Sequence, residues 1–151
     1  MRIEVDDVSR PEVVALVEYH LRSMHEISPP DSVFALDLSG LRHPSVTFWT
    51  LWDGADLLGM GGLKELDPEH GEIKSMRTAP TALRRGVGAR MLDHILDEAR
   101  ARGYRRLSLE TGSNAPFAPA WAMYERAGFV ACGPFAAYVD TVFSRYFTRQ
   151  V

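Results

Sequence analysis

A chain of 151 residues is long enough to bury a sizeable core and short enough to be read as one domain, residues 1–151. Hydrophobic residues at 46%, charged residues at 25% and a net charge of −3 are ordinary for a soluble globular protein, and they argue against nucleic acid or an anionic membrane as a partner. One cysteine, Cys132, excludes an internal disulfide and fits a reducing cytoplasm, and neither a signal peptide nor an apolar run of 18 residues is read.

In chain order, Arg2 to Val5 alternates and begins a strand. Ser9, with Pro11 and Glu12 after it, has the look of a capping box and predicts a helix with Val13, Val14, Leu16, Val17 and Leu21 on its apolar side. Ser28-Pro29-Pro30 reads as a kink, after which Asp31 or Ser32 is placed to cap a second helix carrying Val33, Phe34, Leu36 and Leu41. Val46 to Trp52 and Leu57 to Leu66 read as strands joined by an Asp53-Gly54 hairpin turn. A turn over Asp67 to Gly71 leads to a strand at residues 72–78. After Arg84-Arg85-Gly86-Val87-Gly88-Ala89, the residues Val87, Met91, Ile95 and Ala99 recur at spacing four, beside Leu92 and Leu96. That spacing predicts a helix with one buried stripe, ended by Gly103. A strand at Arg106 to Glu110, a helix at Ala120 to Ala127 stopped by Gly128, and strands from Phe129 and Thr141 complete the chain. The fold class is mixed α/β, with antiparallel hairpins first and one parallel β-α-β crossover.

The strand-to-helix turn at Gly86 is the most informative stretch. Two glycines let the backbone turn with its N–H groups converging, and the helix adds unpaired N–H groups and the positive end of its dipole. With Arg84 and Arg85 alongside, this is a seat for a pyrophosphate. A P-loop is set aside because no lysine follows the glycines, and the dinucleotide fingerprint because Met91 stands at its third glycine position.

Met76-x-Thr78-x-Pro80, six residues before Gly86-Val87-Gly88, together with Met123-Tyr124-Glu125-Arg126-Ala127-Gly128-Phe129, resembles the GCN5-related N-acetyltransferase superfamily over about residues 45–130. The resemblance implies a mostly antiparallel twisted sheet with a splayed parallel strand pair and about four helices. It implies acetyl-CoA as co-substrate and direct acetyl transfer to an amine of a small molecule or exposed peptide. It also implies cofactor contacts from Met76, Arg77, Thr78, Arg84, Arg85, Gly86, Val87, Gly88 and Ala89, those of Met76 and Thr78 through backbone atoms. Small members commonly pair, so a homodimer is compatible. Two positions depart from the pattern: Leu83 stands where Gln or Arg is usual, and Phe117 where Asn is frequent.

A thioester is already activated, so no covalent enzyme intermediate is needed. The acceptor amine must be neutral, and a lysine-like amine is neutral on the order of one part in two thousand at pH 7. Supplying that form accounts for roughly 4–5 kcal/mol, which a carboxylate can help provide. Glu72 is the first choice of base, because the resembling family often places it on this strand. Glu110, or water alone, is the alternative. By the same resemblance Tyr124 is the acid that protonates the leaving thiolate. His25, Glu26 and Phe34 fall in the segment expected to line the acceptor pocket, with residues 110–113 and 135–138. The histidines show no metal-ligand spacing, and no metal is predicted. A CoA-binding module without transfer stays open because of Leu83 and Phe117, and a binder of another phosphate ligand is a third option.

Overall fold

The computed structural model describes residues 1–151. Its elements are β1 (Arg2–Val5), α1 (Pro11–Ile27), α2 (Leu38–Leu41), β2 (Val46–Asp53), β3 (Asp56–Asp67), β4 (His70–Thr78), α3 (Val87–Ala101), β5 (Arg106–Gly112), α4 (Ala118–Arg126), β6 (Val130–Cys132) and β7 (Ser144–Gln150). Seven strands form one sheet in the order β1-β2-β3-β4-β5-β7-β6. Every pair is antiparallel except β4 with β5, which α3 connects. The mixed α/β class and the single parallel pair agree with the expectation from sequence.

The apolar stripe of α3 lies across β3 and β4. A Cβ on Gly59 would meet Val87 at 2.6 Å, and one on Gly61 would meet Met76 and Met91 below 3 Å, so these glycines let helix and sheet approach. Val87, Met91, Leu92, Ile95, Leu96 and Ala99 are buried there, within a core cluster of 27 residues. Leu107, Leu109 and Phe147 continue that core under α4. Burial of this stripe, about 1.5–3 kcal/mol for each large apolar side chain, supplies most of the stability of α3. Trp49 faces α3, where its ring meets His94 at 5.1 Å. Trp52 faces the other side, under the guanidinium of Arg10 at 4.2 Å.

Two local expectations are corrected. The capping box at Ser9 does not form: α1 begins at Pro11 with Arg10 at its cap position and no side-chain cap. The Ser9 hydroxyl donates to Asp7 instead. Arg10 is held by Glu4 and Asp6. The second helix is also much shorter than its apolar spacing implied. A single 3-10 turn covers Pro30–Ser32, residues 33–37 are irregular, and α2 occupies only Leu38–Leu41, capped by Asp37 accepting from the Gly40 N–H at 2.8 Å. Tertiary contacts account for the difference, because the Phe34 carbonyl accepts from Lys74 Nζ at 3.0 Å and the Phe34 ring packs edge-on against Tyr138. No helix is long and apolar enough to cross a membrane.

Candidate active site

The parallel pairing of β4 and β5 is brief. It runs from His70↔Arg106 to Glu72↔Ser108 and stops. Beyond that point β4 stays with β3 as far as Thr78↔Gly59, and β5 stays with β7 as far as Gly112↔Ser144. A bulge at Ser75, whose φ is +57°, coincides with the register shift between Met60 and Gly62. The two strands therefore part in the middle of the sheet. The gap is a cleft of about 430 Å³ that runs from Val87 and Gly88 at one end to Glu72, Glu110 and Tyr138 at the other.

The helix end of the cleft presents backbone N–H groups without intrahelical partners. Gly86, at φ +74°, turns the chain into α3, and no side chain caps the helix. The first helical bond there runs from the Arg90 N–H to the Gly86 carbonyl at 3.0 Å. The N–H groups of Val87, Gly88 and Ala89 thus have no intrahelical acceptor, and the helix dipole adds its positive end. Gly88 lies close under α4: a Cβ would stand 2.9 Å from Met123 Sδ, so that flexible side chain would have to shift. Arg84 and Arg85 are exposed on the turn, with Arg85 loosely paired to Asp53 at 3.3 Å. Met76, Thr78, Val87 and Gly88 line the cleft, while Gly86 and Ala89 are exposed at its rim. Arg77 also lines it, but its guanidinium is turned toward α1, donating from Nε to His20 Nδ1 at 2.9 Å. Leu83 is exposed at the lip, and Phe117 covers Gly112 so closely that a Cβ there would overlap its ring. Asn114 is committed elsewhere, donating to the Ile27 carbonyl.

At the opposite end the side chains of Glu72 and Lys74, two residues apart on β4, share one face. Glu72 is 3% exposed, neither the solvent-facing strand residue nor a free carboxylate. Its Oε2 accepts from Tyr138 OH at 2.5 Å and from Lys74 Nζ at 3.3 Å. Lys74 also donates to Tyr138 OH at 3.0 Å. Its contacts with the Phe34 carbonyl and Tyr138 tie β4 to the loop before α2 and to the loop before β7. Glu110, on β5, accepts from the Ser144 hydroxyl at 2.8 Å. Burial is the main cause that pushes its carboxyl up to about 7; the neighbouring Glu72 charge adds to this, and Ser144 and Lys74 oppose it. Tyr124 on α4 is 4% exposed, its ring edge-on to Phe129 at 5.6 Å, and it lines the cleft. Burial holds its phenol well above the ordinary value, hence protonated.

Of the sequence-derived acceptor residues, Phe34 lines the cleft, whereas His25 and Glu26 are exposed near the end of α1 and do not. The cleft face of α1 is instead His20, Met24 and Ile27, at helical spacing. Sequence reasoning did not find Lys74, Ser144 or His20 in this region. The i, i+2 relation of Glu72 and Lys74 on a strand could have signalled the first. The other two come together only through the fold.

The acetyltransferase (GNAT) family model matches residues 13–129. The chain belongs to that family. It is 52% identical over 151 residues to the uncharacterized N-acetyltransferase YsnE of Bacillus subtilis strain 168, covering 100% of each chain. It is 51% identical over 144 residues to the uncharacterized N-acetyltransferase YedL of Escherichia coli K12, covering 95% of this chain and 91% of that one. Among solved structures, a GNAT family acetyltransferase from Elizabethkingia anophelis with acetyl-CoA bound superposes with a TM-score of 0.71 at 16% identity, covering 99% and 97% of the two chains. The resemblance read from Met76 to Phe129 is thereby established, and with it the activity class: an N-acetyltransferase that draws on acetyl-CoA. In this acetyltransferase the unpaired α3 amides and the parted strands match what a long diphosphate thioester needs.

Proposed function

We propose that the enzyme acetylates an amine of a small molecule or exposed peptide by direct attack on acetyl-CoA, with Glu110 as general base and Tyr124 as general acid. The observation that carries this reading is the parting of β4 and β5 beyond Glu72 and Ser108, with free helix amides at one end and two carboxylates at the other. The diphosphate rests on the N–H groups of Val87 to Ala89. The pantetheine arm follows the exposed edge of β4 past Thr78 and Met76 toward the bulge.

The chemistry then assigns roles. The amine nitrogen attacks the thioester carbon, loses a proton to the base, and expels the thiolate, which takes a proton from the acid. Backbone N–H groups at the bulge are preorganised donors for the developing oxyanion. Glu72, first choice on sequence grounds, already accepts from Lys74 Nζ and from the Tyr138 hydroxyl, so its Oε2 is occupied by partners within the protein. Glu110 is the better base, because a carboxyl near 7 combines a large ionised fraction with real proton affinity at neutral pH. Burial does most of this, and the neighbouring Glu72 charge adds to it.

The test is thiol release from acetyl-CoA across a panel of amines, with acetyl-CoA binding followed by calorimetry. Glu110→Gln and Tyr124→Phe should slow transfer while binding persists. Full activity in both variants would remove these roles, and absence of any heat with acetyl-CoA would remove the reading as a whole.

A further inference from the structure

Two cations line the cleft, Lys74 and Arg77, and only one has its charge answered. Lys74 is paired with Glu72. Arg77 is half-buried and meets no carboxylate: its Nε donates to His20 Nδ1 at 2.9 Å, and its guanidinium lies 5.5 Å from the centre of the Tyr19 ring. His20 is 6% exposed, and burial with the adjacent Arg77 charge pushes it down to about 3, so at neutral pH it is a neutral acceptor that orients the arginine without cancelling it. Glu72 pairs with Lys74 and Glu110 accepts from Ser144, and neither carboxylate pairs with Arg77. A half-buried guanidinium that meets no carboxylate and keeps four of its five N–H donors free of protein partners is placed to pair with an anionic ligand in the cleft. Its planar fork matches a carboxylate.

The geometry indicates which anion. Met76 points into the α3 face, where it would meet a Cβ on Gly61. Arg77, the next residue along the strand, points the other way, to α1. The α3 amides that seat the diphosphate belong to the α3 side of β4. His20, Met24 and Ile27 of α1 and Phe34 border the same cleft on the side of Arg77, where an acceptor would enter.

We propose that Arg77 holds a carboxylate of the acceptor, so that the acceptors are amino acids or similar small amines bearing an acid group. This rests on the function proposed above. Substrate without that anion would leave the guanidinium unpaired in the bound state, and such sites discriminate strongly.

The experiment compares free amino acids with their carboxamides as acceptors with acetyl-CoA, each kcat/KM being referred to the concentration of neutral amine, because the amide lacks the carboxylate and also has the less basic amine. Wild-type enzyme should favour the acid by at least tenfold in kcat/KM. Arg77→Gln should abolish that preference and Arg77→Lys should keep part of it. In both, acetyl-CoA affinity by calorimetry should change less than threefold, which also certifies the fold. Equal use of acids and amides by wild type, no acetylation of any amino acid, or a preference that survives Arg77→Gln would each overturn the proposal. A loss of acetyl-CoA affinity in Arg77→Gln would assign the anion to the cofactor and overturn it too. Failure of wild type to bind acetyl-CoA would strike the underlying function instead.

Discussion

Replacing Glu110 by Gln should cost activity and raise stability, in separate pH windows that follow from one number. Its carboxyl is raised from 4.5 to about 7, chiefly by burial. The native state therefore holds the proton more tightly than the unfolded chain does. Stability from this group is complete below pH 4.5, falls as pH rises through the interval, and is lost above 7. At about 1.4 kcal/mol per pH unit, the loss is about 3 kcal/mol. Glutamine keeps an acceptor for the Ser144 hydroxyl but never ionises. The variant should thus match wild type near pH 4 and exceed it at pH 8 by up to about 3 kcal/mol, roughly 6–12 °C in Tm for a chain of this size. Activity runs the other way. A general base with a pKa near 7 is about one-tenth ionised at pH 6 and nine-tenths at pH 8. The ratio of wild-type to variant kcat/KM, in which titration of the acceptor amine cancels, should rise about tenfold across that range and reach about 10²–10⁴. Melting curves at pH 4 and pH 8 and a pH–rate series for both proteins check this. A ratio independent of pH, together with no gain in Tm at pH 8, would refute the assignment.

Other expectations are narrower. Tyr124→Phe keeps the ring on Phe129, so Tm should hold while thiol release falls about tenfold to a hundredfold in a stopped assay. Gly86→Ala and Gly103→Ala both force an L residue to positive φ, +74° and +79°, in open space. Each should cost about 1–2 kcal/mol by denaturant titration, but only the first should weaken acetyl-CoA binding in calorimetry. Lys74→Met strands the buried Glu72 carboxylate and should cost about 3–5 kcal/mol. Adding Glu72→Leu should return part of it, which urea unfolding of the two variants will show.

Most of the sheet was legible in the chain, because its signals are local. The apolar runs of β2 and β3, the Asp53-Gly54 turn, and the spacing-four stripe of α3 depend on neighbours within a few residues. So does the turn proposed to seat the diphosphate, since a helix start with a glycine at positive φ leaves the same amides free in any fold. Local signals misled at Ser9 and at Asp31–Leu41. There, a side-chain hydrogen bond to Asp7 and the grip of Lys74 on the Phe34 carbonyl outweighed capping and helical periodicity.

The catalytic end could not be read in this way. Glu72 and Glu110 were visible as strand carboxylates, but their order as candidate bases was not. That order depends on Tyr138 reaching Glu72 across 66 residues and on Ser144 meeting Glu110 across 34. Likewise Arg77 is read in sequence as a cofactor contact, and its turn toward α1 emerges only when His20, from another element 57 residues away, is found against it. Residue types and their immediate spacing decided the family, most of the elements and the glycine turn at the head of α3. Basicity and unanswered charge depend on burial and on long-range partners, which exist only once the chain has folded.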